Sequence, residues 1–117
     1  MAAPNIVNVS AIYGKTGVLS VTTTATAIVT NAAASGKVLK VDSLLVANID
    51  GTANATVNAE VYRSATSYYF AYTMTVPAGA TLDILSKYIY LEEGDSIRLA
   101  ANANSDLQAV CSYEEIS

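Results

Sequence analysis

Three carboxylates lie close together in the segment "LEEGDSI", where Glu92, Glu93 and Asp95 flank Gly94. Such a cluster suits a metal site, a general acid/base pair or the polar tip of a β-hairpin. Catalysis would need a neighbour that shifts the pKa of one carboxylate and a cleft that excludes water. A glycine among acids, with apolar alternation on both sides, is typical of a short hairpin loop. We therefore predict a turn at 92–95, with its acids in water and Asp95 accepting nearby backbone hydrogen bonds.

The other reactive groups are few. With no histidine and one cysteine, zinc and most transition-metal sites are excluded. Calcium could bind Asp50, Asn54 and the acids of 92–95, but "NIDGTAN" does not match a calcium loop, and Asp-Gly is itself a hairpin dipeptide. No serine-nucleophile motif occurs, and Cys111 lies on an alternating segment without a histidine partner, as a core residue does. We expect no enzymatic activity, no metal and no cofactor.

The composition is poor in charge. Of 117 residues, 52% are apolar and 14% are charged, against about 25% charged in an average soluble domain. The length predicts one domain over 1–117, part of whose outside is uncharged or covered by another chain. The net charge is −4 without any basic cluster, so we expect no nucleic-acid binding. No apolar run is long enough for a membrane helix, and without a signal peptide or cysteine pair we expect synthesis in a cytosol.

The elements that must position these residues are strands. Val, Ile, Thr and Tyr are abundant, period-two alternation recurs, and turn signals separate the runs. A turn is predicted at Gly14–Gly17 and a loop, rather than a helix, at 31–35. We predict about eight strands in one antiparallel β-sandwich, of jelly-roll or immunoglobulin-like type. The predicted strands are 5–13, 17–30 with a break at the Thr run, 37–49, 55–63, 68–76, 81–91, 95–101 and 107–115.

Two segments show the alternation most clearly. In "TVNAEVYR" one predicted face holds Val57, Ala59 and Val61, and in "LQAVCSY" one predicted face holds Leu107, Ala109, Cys111 and Tyr113. Because successive strand side chains point to opposite faces, these residues are predicted to line the core.

The aromatic segment "SYYFAYTM" is the strongest candidate for specific binding. Strict alternation assigns Tyr68, Phe70, Tyr72 and Met74 to one face and Tyr69, Ala71 and Thr73 to the other. Because both faces carry aromatic rings, at most one set can lie in the core. We predict a protein interface, since tyrosines combine apolar area with a hydroxyl group and the chain is poor in charge. The predicted interface residues are Tyr68, Tyr69, Phe70 and Tyr72.

Other interpretations of these tyrosines remain open. Coplanar exposed rings flanked by Asn58, Arg63 or Gln108 would make a carbohydrate-binding sandwich for attachment to a host surface. A calcium-dependent, lectin-like domain is a third hypothesis. The segment is also compatible with a plain core strand that exposes a few aromatic side chains.

Residues 36–117 resemble small virion structural proteins of tailed bacteriophages, notably phages of marine cyanobacteria. The shared pattern is a V-P-A-x-x-T-L turn, a strand, L-E-E-G-D-S-I-R, a short Asn/Ser-rich turn and a closing S-Y-E-E-I. It lies in the segments "SGKVLKVDSLLVANIDGT" and "TVPAGATLDILSKYIYLEEGDSIRLAANANSDLQAVCSYEEIS".

This resemblance implies a β-sandwich component of the virion with no enzymatic role. The expected protein is a symmetric homo-oligomer that is assembled in the host cytoplasm and binds other phage structural proteins. Capsid decoration is favoured over an accessory position in the neck, tail or baseplate. The resemblance carries no functional residues onto this chain.

Overall fold

The computed structural model describes residues 5–117 and contains nine β-strands in that range. No helix occurs within residues 5–117, and therefore none that could span a membrane. The strands are β1 (Ile12–Val21), β2 (Thr26–Thr30), β3 (Val38–Asn48), β4 (Ala55–Arg63), β5 (Thr66–Val76), β6 (Thr81–Asp83), β7 (Ile89–Leu91), β8 (Ser96–Ala101) and β9 (Leu107–Ile116).

The strands form two sheets in which every pair is antiparallel. Sheet A has the order β1-β9-β3-β6, with β7 also paired to β3, and sheet B has the order β2-β8-β4-β5. One long antiparallel hairpin would contain the pairs β1·β9, β2·β8, β3·β6/β7 and β4·β5, all of which are present. This hairpin is rolled up, so that β9 also pairs with β3 and β8 also pairs with β4. This connectivity is a jelly roll, so the predicted β-sandwich is confirmed.

The core lies between the inner faces of the two sheets. On β9 the predicted alternation is confirmed, since Leu107, Ala109 and Cys111 are buried while the residues between them are exposed. On β4, Val57 and Ala59 are buried and Val61 is half-buried on the same side. Apolar residues at every second position thus form a dry layer between the sheets.

The N-terminal part differs from the prediction. Residues 5–11 form turns and bends rather than a strand, and the predicted turn at Gly14–Gly17 is wrong because β1 runs straight through both glycines. Gly17 serves close packing instead. A Cβ atom at this position would lie 2.9 Å from the carbonyl oxygen of Ile28, so a side chain there would collide with β2 of the other sheet. The predicted break at the Thr run is confirmed between β1 and β2.

Two further turn regions organise the ends of strands. The predicted strand 81–91 is divided into β6 and β7 because Ile84 and Leu85 leave the sheet and enter the core. The loop at 31–35 is confirmed. Its buried Asn31 donates side-chain hydrogen bonds to the carbonyl oxygens of Lys37 at 2.9 Å and Leu91 at 3.0 Å.

Candidate interaction surface

Strand β5, which carries the aromatic segment, forms a free edge of sheet B. Its register with β4 shifts twice: Glu60 faces Tyr69 and Ala59 faces Ala71, so Phe70 is an extra residue. A second extra residue lies between Ala71 and Met74, where Thr73 has a positive φ of 52°. The strict alternation predicted for this strand is therefore wrong, because each β-bulge reverses the side to which the next side chain points.

The bulges bring Tyr69 and Tyr72 together on the outer face of sheet B. Their side chains are 51% and 70% exposed, and their ring centroids are 5.0 Å apart at an interplanar angle of 77°. Phe70 is half-buried and packs on the core. Of the four predicted interface residues, the structure thus exposes the three tyrosines and turns Phe70 toward the interior.

Tyr68 lies on the opposite side of β5 and faces a cleft between the two sheets. It is 59% exposed because sheet A ends here in the short strands β6 and β7. The cleft has a volume of about 400 Å³. It is lined by Val61, Tyr68, Tyr69, Phe70, the segment 84–88 and Ile89.

Two tyrosines that sequence analysis did not select complete this surface. Tyr88 is 55% exposed and Tyr90 is 37% exposed, and their centroids are 5.6 Å apart at 83°. The Nζ atom of Lys40 lies 4.5 Å above the Tyr88 ring in a cation–π contact. The alternation in "YIY" could have identified these two tyrosines from the sequence, since it places both rings on one face. We call Tyr68, Tyr69, Tyr72, Tyr88 and Tyr90 the tyrosine surface.

A charged network supports the tyrosine surface from beneath. Glu60, which faces Tyr69 across the strands, is only 3% exposed. Its Oε1 accepts hydrogen bonds from Arg98 Nε at 3.2 Å and Nη2 at 3.0 Å, and the Arg98 guanidinium stacks 3.7 Å above the Tyr62 ring. This ion pair links β4 and β8 on the outer face of sheet B, beside Tyr69.

The acidic segment 92–95 forms the predicted turn. The Asp95 amide donates to the Glu92 carbonyl oxygen at 3.0 Å, and Gly94 has a φ of 89°, which glycine adopts without strain. Glu93 accepts a hydrogen bond from the Gly36 amide at 2.8 Å. The turn joins β7 of sheet A to β8 of sheet B, which do not pair with each other, so the expected hairpin loop is wrong. The Glu93 contact anchors the turn on the neighbouring loop.

The expectation that these acids all sit in water is wrong for Asp95, which is 2% exposed. Its carboxylate accepts hydrogen bonds from both Arg63 Nε, at 2.8 Å, and Nη2, and from the Glu92 amide at 2.9 Å. Burial alone would raise the pKa of Asp95, but these hydrogen bonds and the Arg63 charge outweigh burial and lower it. The same pairing raises the pKa of Arg63. The Asp95 carboxylate is thus held as an anion by three hydrogen bonds within the fold.

Residues proposed for metal or sugar binding are not brought together as a site. Asp50 accepts hydrogen bonds from the Thr52 amide and hydroxyl, which lower the pKa of Asp50. Within residues 5–117 no group of three or more Asp, Glu, Cys or His side chains could hold a metal ion. Asn58 and Arg63 lie on β4, whereas Gln108 lies on β9 in the other sheet. The Tyr69–Tyr72 and Tyr88–Tyr90 pairs are nearly perpendicular, so neither pair forms a flat platform for a sugar ring.

Comparison with known proteins finds solved structures similar to this chain, two of which are described below. No protein-family model and no curated protein matches the chain. A structure of the Bacillus endospore appendages, which form a novel family of disulfide-linked pili, is 16% identical with a TM-score of 0.53, over 91% of this chain and 88% of that chain. A pentameric capsid protein isolated from metagenomic phage sequences is 19% identical with a TM-score of 0.44, over 86% of this chain and 60% of that chain. The first likeness covers nearly the whole chain and concerns the fold alone.

Proposed function

We propose that this chain is a non-enzymatic structural protein of a tailed-phage virion, a symmetric oligomer that decorates or stabilises the capsid. The observation that carries the proposal is the tyrosine surface, whose exposed rings lie on the free edge strand β5 and, across the adjoining cleft, at Tyr88 and on β7. An accessory position in the neck, tail or baseplate is the alternative within the same class. The virion assignment is supported by the sequence resemblance of residues 36–117, and the jelly roll is a fold common in viral capsids.

The chemistry of the tyrosine surface suits a protein partner. Tyrosine is enriched in protein interfaces because a rigid ring gives a large contact area and its hydroxyl can find a hydrogen bond at the rim. Tyr68 and Tyr72 are more than half exposed in the isolated chain, so a partner would remove their apolar area from water. The cleft beside Tyr68 offers a concave site for an anchoring side chain of the neighbouring phage protein.

The proposal is tested with particles of the phage that encodes this chain, prepared without it. Purified protein is sedimented with these particles, and we expect binding at a fixed copy number per particle. The double variant Tyr68→Ser/Tyr72→Ser is expected to bind at least about 30-fold more weakly, because two aromatic anchors are lost. Ile49→Ser, at a residue 55% exposed in the loop after β3, is the matched control and is expected to bind normally.

Two outcomes would contradict the proposal. One is a monomeric protein without affinity for heads, necks or tails. The other is a glycan-array signal that Tyr72→Ser abolishes while particle binding stays absent, which would establish the carbohydrate-binding function instead.

A further inference from the structure

The free edges of the two sheets differ in how well they could accept another strand. Strand β1 pairs with β9 over ten consecutive residues without any register shift. By contrast, β5 has two register shifts and β2 has one, while β6 and β7 have three residues each. Bulges and short strands discourage pairing with other chains, whereas a long regular edge presents its unpaired amide and carbonyl groups in register. Among residues 5–117, β1 is the long edge that lacks these protections.

An apolar row on the outer face of sheet A ends at this edge. Val18 on β1 faces Val110 on β9, which faces Leu45 on β3. Their exposed fractions are 73%, 40% and 38%. Exposure rises toward the edge because Val18 has an apolar neighbour on its β9 side and none among the described residues on the other. The apolar row therefore continues onto β9 and β3 on one side of Val18 and ends at Val18 on the other.

The charges on β1 do not oppose pairing with an identical strand. Lys15 is the one charged residue of β1. A lysine on an edge usually repels approaching strands, but this ammonium lies 3.2 Å from Glu115 of its own chain, a carboxylate that it shares with Lys37 at 2.9 Å, so its charge is partly offset. Around Val18 the strand has only glycine, threonine, serine and leucine neighbours.

We propose that β1 is the edge through which two copies of this chain associate, antiparallel about a two-fold axis that passes between the two Val18 residues. In this register Thr16 faces Ser20 of the second copy, and Gly17 faces Leu19. Residues of the same face then meet, as antiparallel pairing requires. The apolar row becomes Leu45–Val110–Val18 followed by the same three residues in reverse, across six strands of one continuous sheet.

The inference rests on the proposed function only in requiring that the chain self-associates. The proposed function does not specify the pairing strand, the two-fold axis or the register, which this inference adds. The tyrosine surface is built from β5 of sheet B and from Tyr88 and β7 at the edge of sheet A opposite β1. A β1-to-β1 dimer therefore leaves it free for another partner. Each dimer would then present two tyrosine surfaces, and two attachment points strengthen binding to a symmetric particle.

Cysteine cross-linking of the full chain tests the register directly. Facing Cβ atoms in an antiparallel pair lie about 5 Å apart, close to disulfide distance, so Val18→Cys is expected to give a covalent dimer under mild oxidation. Ser20→Cys is the matched control on the same face. Its two sulfurs would lie four positions apart along the strands, about 13 Å, and should not link. The native Cys111 is fully buried and does not interfere.

A second pair of variants measures the association itself. Val18→Glu sets two carboxylates opposite each other on the axis and is expected to weaken dimerisation at least about tenfold in sedimentation equilibrium, because facing like charges repel. Thr75→Glu, an exposed residue on β5, is the control and is expected to dimerise as the wild type does.

The outcomes separate this inference from the proposed function. If the wild type is oligomeric but Val18→Cys does not link, or Ser20→Cys links instead, the β1 pairing is overturned while an oligomeric virion protein stands. If Val18→Cys links and the protein still fails to bind phage particles, the pairing stands and the proposed function falls. A wild type that stays monomeric at high protein concentration overturns the inference.

Discussion

At the scale of single residues, Asp95 shows how one member of the acidic cluster is built into the fold. Its carboxylate is 2% exposed and accepts three hydrogen bonds, two from Arg63 and one from the Glu92 amide, so that both oxygens are engaged. The arginine comes from β4 and the acid from the turn before β8, so the pair ties two segments that are distant in sequence. An acid held in this way stabilises the turn.

Replacement of Asp95 by Asn is expected to lower the free energy of unfolding by about 2 kcal/mol, because one charge-assisted pair is lost and the Arg63 charge is left without its main partner. The matched variant is Glu92→Gln. Glu92 also contacts Arg63 but is 67% exposed, so we expect a change of about 0.5 kcal/mol or less. Urea denaturation of the three proteins at pH 7 measures both effects, and equal losses in the two variants would contradict this assignment.

The same pair predicts a pH dependence. The pKa of Asp95 is lower in the folded chain than its ordinary value of 3.8. Its stabilisation is therefore complete above the unfolded pKa and is lost as the pH falls through the folded pKa. The pKa of Glu115 is also lowered, by hydrogen bonds from Lys37 and Lys15 that outweigh its partial burial, and it adds in the same direction.

We therefore expect the unfolding free energy of the wild type to fall between about pH 5 and pH 2. The difference between the wild type and Asp95→Asn should narrow over the same range, because protonation removes the charge that the variant already lacks. Urea denaturation at several pH values measures this, and a difference that stays constant down to pH 2 would exclude the ionic pair as its cause.

At the scale of elements, β1 contains two glycines with different roles. Gly17 lies against the carbonyl oxygen of Ile28, and Gly14 has no atom within 4 Å of where a Cβ would be. Gly17→Ala is expected to destabilise the fold by about 1–3 kcal/mol because β2 must shift away. Gly14→Ala is expected to be neutral or stabilising by up to about 1 kcal/mol, since alanine reduces the freedom of the unfolded chain.

Thermal or urea unfolding measures the stability of the two variants, which carry the same glycine-to-alanine change at two positions of β1. Equal effects would mean that the approach of β2 to β1 does not constrain Gly17. This approach also explains why Gly17 lies inside a strand rather than in the predicted turn. Its lack of a side chain permits contact between the sheets, which local sequence patterns do not report.

At the scale of the whole molecule, Cys111 reports on global unfolding. It is completely buried on β9, in the middle of sheet A, where it faces Leu44 and Gly17. Burial, with a smaller effect from the charge of Asp42, raises the pKa of its thiol to about 11. The thiolate that reacts with modifying reagents is therefore scarce and inaccessible in the folded chain.

Labelling of Cys111 by a thiol reagent at pH 8 is expected to be at least about a thousandfold slower than in the urea-unfolded chain, because access requires opening of the core. The rate should rise about fivefold or more in Gly17→Ala, in proportion to its loss of stability. Rapid labelling of the folded wild type would mean that β9 opens locally, and it would contradict a single cooperative core.

The sequence alone determined most of the sandwich. Period-two patterns on β4 and β9 identified core residues such as Ala59 and Cys111, and turn chemistry located the loops at 31–35 and 92–95, because both signals depend on side chains a few positions apart. Tertiary structure decided what depends on distant neighbours. Gly17 became a strand residue through contact with β2, and Asp95 was buried through its pairing with Arg63. Two bulges in β5 rearranged the aromatic side chains, so that Tyr69 and Tyr72 share a face while Phe70 packs inward. Such effects arise from pairing between strands that are remote in sequence, and local alternation carries no information about them.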